Sequence, residues 1–287
     1  MKVLITGSAG FIGKHLMERL KKKHEILGID KKSGVDILDF QKMLAVMNKI
    51  MGKPDIIVHL AAQTSRKNSS ANPSRNFQDN IIGTFNILEI ARSFGIKVIF
   101  PSTRYAVPNK EGQRDPYGTS KAINEVQIED YAQNFGLEYI INRIGNVYGP
   151  GQEGSQEAFW LAWFIKASIE KKPITIYGFE GKQSRDMLHV KDLVDLIVDE
   201  VENFPLYQGQ TFEVGGSEKN EISLIEALKI IGYDNYNFGK ALPGDSKRLV
   251  FDNKKIAGIN GWFPKISIRE GIGETIEYYK KLKKGKK

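Results

Sequence analysis

The first half of the chain alternates short apolar runs with longer amphipathic segments. Five apolar runs predict strands at 2–6, 26–29, 55–60, 97–100 and 138–142. The segments between them carry apolar residues at helical spacing and predict helices at 11–23, 40–51, 76–94 and 117–135. Apolar strands separated by helices are typical of a parallel sheet that is covered on both faces. With right-handed crossovers, the pattern predicts a Rossmann-like, doubly wound α/β sheet.

The second half follows a less regular pattern. Short strands are predicted at 174–177 and 211–214, and helices at 157–170, 190–201, 223–231 and 268–281. This mixture predicts a smaller C-terminal lobe from which the chain returns once to the main sheet. We therefore expect a main domain made of 1–150 and 186–218, and a lobe made of 151–185 and 219–287.

Composition narrows the class of protein. The 287 residues are 41% hydrophobic, which is enough for one large domain with a small lobe. The chain has no cysteine, which excludes disulfides and thiol catalysis, and with only four histidines it argues against a metal site. The first residues form a strand pattern and not a signal peptide, and no apolar run is long enough to span a membrane. These features predict a cytoplasmic protein.

The net charge of +8 could indicate a nucleic-acid partner, but its distribution argues against one. Six of the positive charges lie in the last eight residues, at Lys280, Lys281, Lys283, Lys284, Lys286 and Lys287. A basic terminus is usually a solvated end, whereas a nucleic-acid surface interleaves basic and aromatic residues on a folded face. We expect no nucleic-acid partner.

Three glycines follow the first predicted strand and open the first predicted helix. Gly7, Gly10 and Gly13 are spaced three residues apart. Glycine backbone and the free amides of a helix N-terminus can together receive a pyrophosphate. The position of this motif predicts a dinucleotide site.

Asp30 ends the second predicted strand, where a carboxylate can accept hydrogen bonds from both ribose hydroxyls and would repel a 2′-phosphate. It therefore favours NAD over NADP, although Lys31 and Lys32 follow and could serve a phosphate. Asp36 and Ile37 are candidates to contact the adenine amino group and ring.

Tyr117 and Lys121 are four residues apart and share one face of a predicted helix. A nearby ammonium group stabilises tyrosinate, so we expect a lowered pKa for Tyr117 and a role as general acid and base. Thr103 ends the fourth predicted strand, at the edge where open α/β sheets bind ligands. The same Tyr and Lys spacing recurs, away from the parallel strands, at Tyr236 with Lys240 and Tyr279 with Lys283.

Further motifs occur in a fixed order along the chain. They are Gly7–Gly13, His59-Leu60-Ala61-Ala62, Asn80 with Gly83-Thr84, Ser102-Thr103, Tyr117–Lys121, Asn146–Gln152, Arg185-Asp186 with His189-Val190, and Pro243-Gly244-Asp245. Together these residues resemble the extended short-chain dehydrogenase/reductases, the nucleotide-sugar epimerase/dehydratase family. The resemblance covers most of the chain. It implies that the main domain binds NAD and that the lobe binds the substrate.

The resemblance also implies residue roles. Tyr117 would be the acid and base, Lys121 would hold the nicotinamide ribose, and Thr103 would orient the substrate hydroxyl. The cofactor would also be lined by Phe11, Ile12, Leu60, Ala61, Ala62 and Asn80. The substrate would meet Asn146 and Arg185 at its diphosphate, and Asp245.

The resemblance further implies a homodimer formed by the helices at 76–94 and 117–135. The apolar residues that we expect to contribute are Ile81, Phe85, Ile123 and Ile128.

The chain departs from the family pattern at three places. Arg104-Tyr105 occupies the positions where dehydratases carry an acid pair, so water elimination loses its proton donor and base. The stretch 104–116 is shorter than usual. Leu242 replaces the arginine before Pro-Gly-Asp, although Lys240, Lys247 or Arg248 could substitute for it.

Three functions remain open at this point. The first is an epimerase that inverts carbon 4 of a nucleotide sugar through a transient keto-sugar and NAD. The second is an NAD(P)H-dependent ketoreductase or sugar dehydrogenase with net redox change. The third is a non-catalytic dinucleotide sensor, which would need no Thr103, Tyr117 and Lys121 proton relay.

Overall fold

The computed structural model describes residues 1–49, 52–109, 111–156, 158–240 and 246–285. The strands are β1 (Lys2–Thr6), β2 (Glu25–Ile29), β3 (Ile56–His59), β4 (Lys97–Thr103), β5 (Tyr139–Ile144), β6 (Asn146–Tyr148), β7 (Ile174–Tyr177), β8 (Ser184–His189), β9 (Gln210–Val214), β10 (Glu221–Ser223), β11 (Tyr236–Gly239) and β12 (Arg248–Leu249). The helices are α1 (Phe11–Leu20), α2 (Phe40–Lys49), α3 (Arg66–Ala71), α4 (Pro73–Phe77), α5 (Gly83–Phe94), α6 (Pro116–Phe135), α7 (Trp160–Glu170), α8 (Val190–Glu202), α9 (Leu224–Ile231), α10 (Lys254–Asn260) and α11 (Ile268–Lys284).

The chain forms two compact units. The first contains residues 1–144 and 194–212, and the second contains 145–193 and 213–287. Both differ from the division expected from the sequence, because 145–150, 186–193 and 213–218 belong to the second unit. The physical reason lies in the strand pairing, since β6 pairs with β8 and not with the large sheet.

The first unit is built on a six-stranded sheet in the order β2-β1-β3-β4-β5-β9. The pairs among β1 to β5 are parallel, as alternating strands and helices predict. Leu4, Ile57, Val98, Phe100 and Ile141 on these strands are buried in one apolar cluster with residues of α2, α5 and α6. The Rossmann-like α/β prediction is confirmed.

Strand β4 is longer than its apolar run suggests. It continues through Pro101, Ser102 and Thr103, which pair in register with Asn142, Arg143 and Ile144 of β5. Main-chain hydrogen bonds therefore extend the sheet past the apolar core. Polar side chains are thereby held on regular strand backbone at the carboxyl edge, where ligands of open α/β sheets bind.

The helix predicted at 76–94 is interrupted. A π-helical turn, Gln78–Ile82, joins α4 to α5. Such turns insert an extra residue into a helix and are frequent at functional sites. Helix α6 starts where the Asp115 carboxylate accepts from the Gly118 amide at 2.7 Å, and it ends at Gly136 with a left-handed φ of 70°.

The second unit is organised around β8. Strand β10 pairs with β8 in antiparallel fashion, and β6 and β12 pair with it in parallel. Helices α7, α9 and α11 cover an apolar cluster with Tyr148 and Met187. Within the described residues the predicted helix 157–170 begins at Trp160, and Glu157 lies outside them. Among the described helices, none is both long and apolar enough to cross a membrane.

Candidate active site

The three glycines form a tight loop between β1 and α1. Gly7 has a left-handed φ of 69°, and a Cβ atom there would lie 2.7 Å from the Ala61 nitrogen. A Cβ atom on Gly13 would lie 2.3 Å from the Gly7 carbonyl oxygen. Gly10 donates to that same carbonyl at 3.0 Å and caps α1, whose first turn contains Phe11 and Ile12. The loop thus needs glycine, and its bare backbone beside a helix N-terminus fits a dinucleotide pyrophosphate.

Asp30 is held beside the glycine loop. Its Oδ2 accepts from the Ala9 amide at 3.2 Å, and its Oδ1 accepts from the Lys32 amide at 2.9 Å. The Lys31 ammonium lies 2.8 Å from Asp79 and 3.4 Å from Asp36. Since Lys31 is paired with two carboxylates, this surrounding favours ribose hydroxyls over a 2′-phosphate.

Asp36 and Ile37 differ in their surroundings. The Asp36 carboxylate accepts from the Leu38 amide at 3.0 Å and is partly exposed. Ile37 is buried, and a Cβ atom on Gly83 would lie 2.5 Å from its Cδ1. Ile37 thus packs in the apolar core of the first unit, and a contact with an adenine ring stays a prediction.

A buried histidine holds the segment that follows β3. The Ala61 amide donates to Thr6 Oγ1 at 3.0 Å, Thr6 Oγ1 lies 2.7 Å from His59 Nδ1, and His59 Nε2 lies 3.0 Å from Thr84 Oγ1. Burial, and then the charge of Lys121, lower the pKa of His59 to about 3. His59 is therefore neutral. Through Thr6 it positions the Leu60-Ala61-Ala62 segment.

Asn80, in the π-helical turn, connects this segment to α6. Its Oδ1 accepts from the Gln63 amide at 2.8 Å, and its Nδ2 donates to the Gln63 carbonyl at 3.0 Å and to Ser120 Oγ at 2.9 Å. Ser120 in turn donates to the Tyr117 carbonyl at 2.8 Å. The amide therefore fixes the first turn of α6. Its predicted contact with the cofactor remains a prediction.

Thr103, Tyr117 and Lys121 come together at the carboxyl end of β4, and all three are buried. The Thr103 hydroxyl forms a hydrogen bond with the Tyr117 hydroxyl. Lys121 donates to the Pro101 carbonyl at 2.8 Å, and its ammonium lies 4.3 Å from the centre of the Phe100 ring. The structure thus places a phenol, an alcohol and an amine in one cluster, as a proton relay requires.

The pKa values in this cluster differ from the expectation. Burial raises the pKa of Tyr117, against the smaller opposing effect of the Thr103 hydrogen bond. The expected lowering of the Tyr117 pKa by Lys121 is therefore wrong for the protein alone. Burial lowers the pKa of Lys121 to about 7, opposed by the charge of Glu125. Burial therefore works against the charged form of Lys121 in the neutral pH range.

Sequence reasoning missed a group behind Lys121. The Glu125 carboxylate accepts from Ser102 Oγ at 2.5 Å and from the Arg143 guanidinium at 2.6 and 3.1 Å. The available signal was the spacing, because Glu125 lies one helical turn after Lys121 and two turns after Tyr117.

A second missed group surrounds Tyr105, one of the two residues that replace the acid pair. The Arg66 guanidinium lies 4.2 Å from the centre of the Tyr105 ring and donates to Asp115, the residue that caps α6. A Cβ atom on Gly118 would lie 2.2 Å from the Tyr105 carbonyl oxygen. The short 104–106 turn therefore packs directly on the start of the helix that carries Tyr117.

The predicted substrate residues belong to the second unit. Asn146 lies on β6 opposite Met187, and Arg185 lies on β8 and donates to the Ser184 carbonyl at 2.7 Å. Asp245 and Leu242 lie outside the described residues. Of the proposed substitutes for an arginine, Arg248 is bound to Glu221 at 2.7 Å, which leaves Lys240 and Lys247 as candidates.

The second unit also contains a cavity of about 540 Å³. It is lined by Gly178, Phe179, Glu180, Lys182, Gln183, Phe238, Gly239 and Lys247. Aromatic faces can stack on a planar base, and ammonium groups can neutralise phosphate. The chemistry of the lining suits the nucleotide part of an anionic ligand.

Comparison with known proteins agrees with this geometry. The model of the NAD dependent epimerase/dehydratase family matches residues 3–215. The chain is 32% identical to UDP-glucose 4-epimerase of Mycolicibacterium smegmatis, over 98% of this chain and 99% of that protein. It is 30% identical to CDP-paratose 2-epimerase of Salmonella typhi, over 97% and 99% of the two chains.

A solved structure is similar over the whole chain. The complex of Thermus thermophilus UDP-glucose 4-epimerase with NAD superimposes with a TM-score of 0.85 at 28% identity, covering 98% of this chain and 99% of that one. The family match over residues 3–215 includes the glycine loop and Thr103, Tyr117 and Lys121. The chain therefore belongs to the NAD-dependent epimerase/dehydratase family.

Proposed function

We propose that this chain is an NAD-dependent epimerase that inverts carbon 4 of a nucleotide-activated hexose. The observation that carries the proposal is the buried cluster of Thr103, Tyr117 and Lys121, which occurs without a carboxylate at positions 104 and 105. Such a cluster can move a proton at one sugar oxygen. Elimination of water would need a further acid and base, and Arg104-Tyr105 supplies neither carboxylate.

The residues of the first unit fit the cofactor. The Gly7–Gly13 loop would receive the pyrophosphate, because a Cβ atom at Gly7 or Gly13 would collide with neighbouring backbone. Asp30 would accept from the adenosine ribose, and Lys121 would donate to the nicotinamide ribose. NAD, when bound, supplies a hydride acceptor and a cationic ring that favours the ionised form of a neighbouring phenol.

The chain's own residues would handle the proton. Tyr117 takes the proton of the sugar hydroxyl when it acts as a base and returns it when it acts as an acid. Thr103, whose hydroxyl already bonds to Tyr117, orients the reacting oxygen. Lys121 stabilises the tyrosinate form, which burial alone disfavours. Because the proton returns to the same oxygen, no net acid or base is consumed.

The second unit would bind the nucleotide. Phe179 and Phe238 would stack on the base, and Lys247 would meet the diphosphate. Lys182, which also lines the cavity, is paired with Glu180 at 2.8 Å. Arg185 on β8 would supply a second cation for the diphosphate. The identity of 30% and 32% to two nucleotide-sugar epimerases, over 97% and 98% of this chain, also favours this substrate class.

The test is incubation with a panel of nucleotide hexoses, with NMR analysis of the sugar and absorbance at the reduced-nicotinamide band. We expect the 4-epimer to form with no net change at that band, and Tyr117→Phe to form it about 100-fold or more slowly. Stoichiometric oxidation of added NADH or NADPH without epimerisation would support a ketoreductase instead. Inversion at carbon 2, the position in the name of the Salmonella relative, would show that carbon 4 is not the reacting carbon.

We also propose that the enzyme is a homodimer. Two pairs of apolar residues, each spaced three apart, are exposed. One pair is Ile82 and Phe85, at the start of α5, and the other is Ile123 and Val126 of α6. Val126 is 65% exposed, which is unusual for an aliphatic residue of a helix centre. The same surface on a second copy would cover both pairs, as two-fold interfaces do. Of the residues expected from the sequence, Ile128 is fully buried within one chain and cannot contribute to this interface, and Ile81 is only partly exposed, whereas its neighbour Ile82 is exposed.

Light scattering tests the dimer. We expect a dimer for the natural chain and a monomer for Val126→Glu, while Leu206→Glu, at an equally exposed apolar residue elsewhere in the first unit, should leave the mass unchanged. A monomeric natural chain at micromolar concentration would contradict the proposal.

We further propose a cytoplasmic location. The absence of cysteine from the whole chain supports a reducing compartment, although it does not require one. Fractionation of cells that produce the protein from its own gene would test this location.

A further inference from the structure

Three turns of α6 are held by three consecutive residues of β4. Tyr117 is bonded to the Thr103 hydroxyl, Lys121 donates to the Pro101 carbonyl, and Glu125 accepts from Ser102 Oγ. The helix positions are spaced by four residues and form one stripe that faces the strand. The stripe therefore continues one turn beyond the pair that carries the proposed chemistry.

Glu125 is an unusual residue to bury. It is 6% exposed, and Ser102 beside it is 5% exposed. Its two oxygens receive three hydrogen bonds from Arg143, at 3.1, 3.1 and 2.6 Å. Arg143 is the register partner of Ser102 across β4 and β5, so two strands hold the same carboxylate. Burying a carboxylate costs desolvation free energy, which a glutamate on the surface of the helix would not incur.

The ionisable groups around Lys121 come from three elements in the described part of the chain. Glu125 and Tyr117 lie on α6, His59 lies on β3, and Arg143, which contacts Glu125, lies on β5. Tyr105 and Asp115 act on Tyr117. His59 is neutral because its pKa is lowered to about 3. Glu125 is thus the anionic group that acts on Lys121 directly, and Arg143 moderates it.

We propose that Glu125 is a positioning residue that keeps the Lys121 side chain charged beside Tyr117, and that Ser102 and Arg143 hold its carboxylate for this purpose. Lys121 needs its proton both to donate to a ribose and to stabilise a tyrosinate. Burial works against that proton, and the Glu125 charge works for it. The catalytic consequence rests on the proposed function, whereas the charge of Lys121 can be measured without it.

The experiment follows the lysine Cε resonances of the full-length protein by NMR across neutral pH, without substrate. The Lys121 resonance is identified by its loss in Lys121→Met. We expect Lys121 to titrate near the value of about 7 that burial gives it. In Glu125→Gln we expect that midpoint to fall by on the order of one pH unit, since the opposite charge is lost while the side-chain shape is kept.

Arg143→Gln should shift the titration midpoint of Lys121 in the opposite direction. Removal of this cation leaves the Glu125 charge less compensated, so the midpoint of Lys121 should rise by a smaller amount. Glu129→Gln is the matched control, because it removes the same charge from the next, exposed turn of α6 and should change nothing. A purely structural network would not move the two variants in opposite directions.

Two results would overturn the proposal. One is a Lys121 midpoint in folded Glu125→Gln that equals the natural one. The other, which decides the matter even if Glu125→Gln does not fold, is an unchanged or lowered midpoint in Arg143→Gln. The titration uses no sugar, so a failure to find epimerase activity would leave this result standing.

Discussion

The first and second units hold their candidate ligand-binding residues in opposite ways. In the first unit, the proposed relay is buried and is supported by a second layer of side chains that includes His59, Asn80 and Glu125. In the second unit, the cavity is lined by exposed Lys182 and by Phe238, which is 55% exposed. Phe179 and Glu180 there have left-handed φ values of 47° and 50°.

This difference indicates that the two units have separate roles, one in the proposed reaction and the other in the choice of substrate. A proton relay needs fixed geometry and low dielectric, so it is built into strands and a helix and is braced from behind. A nucleotide cavity needs shape and charge at its rim, and loops supply both with few constraints from the core. Changes in the first unit should therefore affect turnover, and changes in the second should affect substrate affinity.

The largest expected effect is that of Tyr117→Phe. Loss of the phenol removes the proton acceptor while the ring keeps its place, so kcat should fall by about 100-fold or more. NAD affinity, measured by fluorescence titration, should stay near the natural value. Turnover within a few-fold of the natural enzyme would show that the buried cluster does not carry the chemistry.

Gly13→Ala should act next most strongly, on the cofactor. The new methyl would lie 2.3 Å from the Gly7 carbonyl, so the loop must shift at a cost of about 1–3 kcal/mol. We expect NAD to bind roughly tenfold or more weakly. Gly273→Ala in α11 is the control, since nothing lies within 4 Å of its added methyl. Equal NAD affinity in Gly13→Ala would contradict the assignment of the glycine loop.

Phe238→Ala should distinguish the role of the second unit from that of the first. Loss of one stacked aromatic ring costs about 1–3 kcal/mol, so KM for the nucleotide sugar should rise by roughly tenfold with kcat nearly unchanged. Phe263→Ala, a similarly exposed aromatic of the second unit outside the cavity, should leave KM alone. A fall in kcat with constant KM would contradict the division of roles.

Glu200→Gln should give the smallest effect, and on stability only. Glu200 is fully buried in the first unit and is bonded to Asn142 at 2.8 Å; burial raises the pKa of its carboxyl to about 8. The natural protein therefore holds an extra proton between the unfolded pKa near 4.5 and about 8, and it loses stability as pH rises through that window.

The glutamine variant has no such proton to lose. At pH values equal to or above the pKa of the Glu200 carboxyl in the folded protein, we expect the variant to be more stable than the natural protein. The difference in the free energy of unfolding, measured by chemical denaturation, should be more than about 1 kcal/mol. Parallel stability curves for the two proteins across the window would contradict the assigned burial effect. Epimerase turnover should change little, because the Glu200 carboxylate bonds to the side chain of Asn142, whereas Lys121 contacts the neighbouring strand through the Pro101 carbonyl.

Much of the first unit could be predicted because its determinants are local. An apolar run such as 2–6 is long enough to specify a strand, and Gly7, Gly10 and Gly13 lie within seven consecutive residues. Thr103, Tyr117 and Lys121 were expected together because a strand end and the next helix meet at one edge of the sheet. The structure brings these three residues into one cluster.

The contacts of Glu125 with Ser102 and Arg143 could not be predicted in this way. A glutamate at position 125 of a charged helix looks like a solvated residue, and its partners become visible only when β4 and β5 are in register. The pKa of Tyr117 was expected in the wrong direction because proximity to Lys121 can be read from spacing, whereas burial cannot. The unit boundaries were displaced for a similar reason, since the pairing of β6 with β8 is a non-local contact.

The π-helical turn at Gln78–Ile82 takes up one extra residue just before α5. In a regular α-helix, one added residue would rotate everything after it by about 100° around the axis. The wider turn absorbs that rotation, so Gly83 stays against Ile37 and Phe85 stays on the surface. A relative with a one-residue gap within 78–82 should therefore keep the outer surface of α5 and differ only in the local turn that carries Asn80.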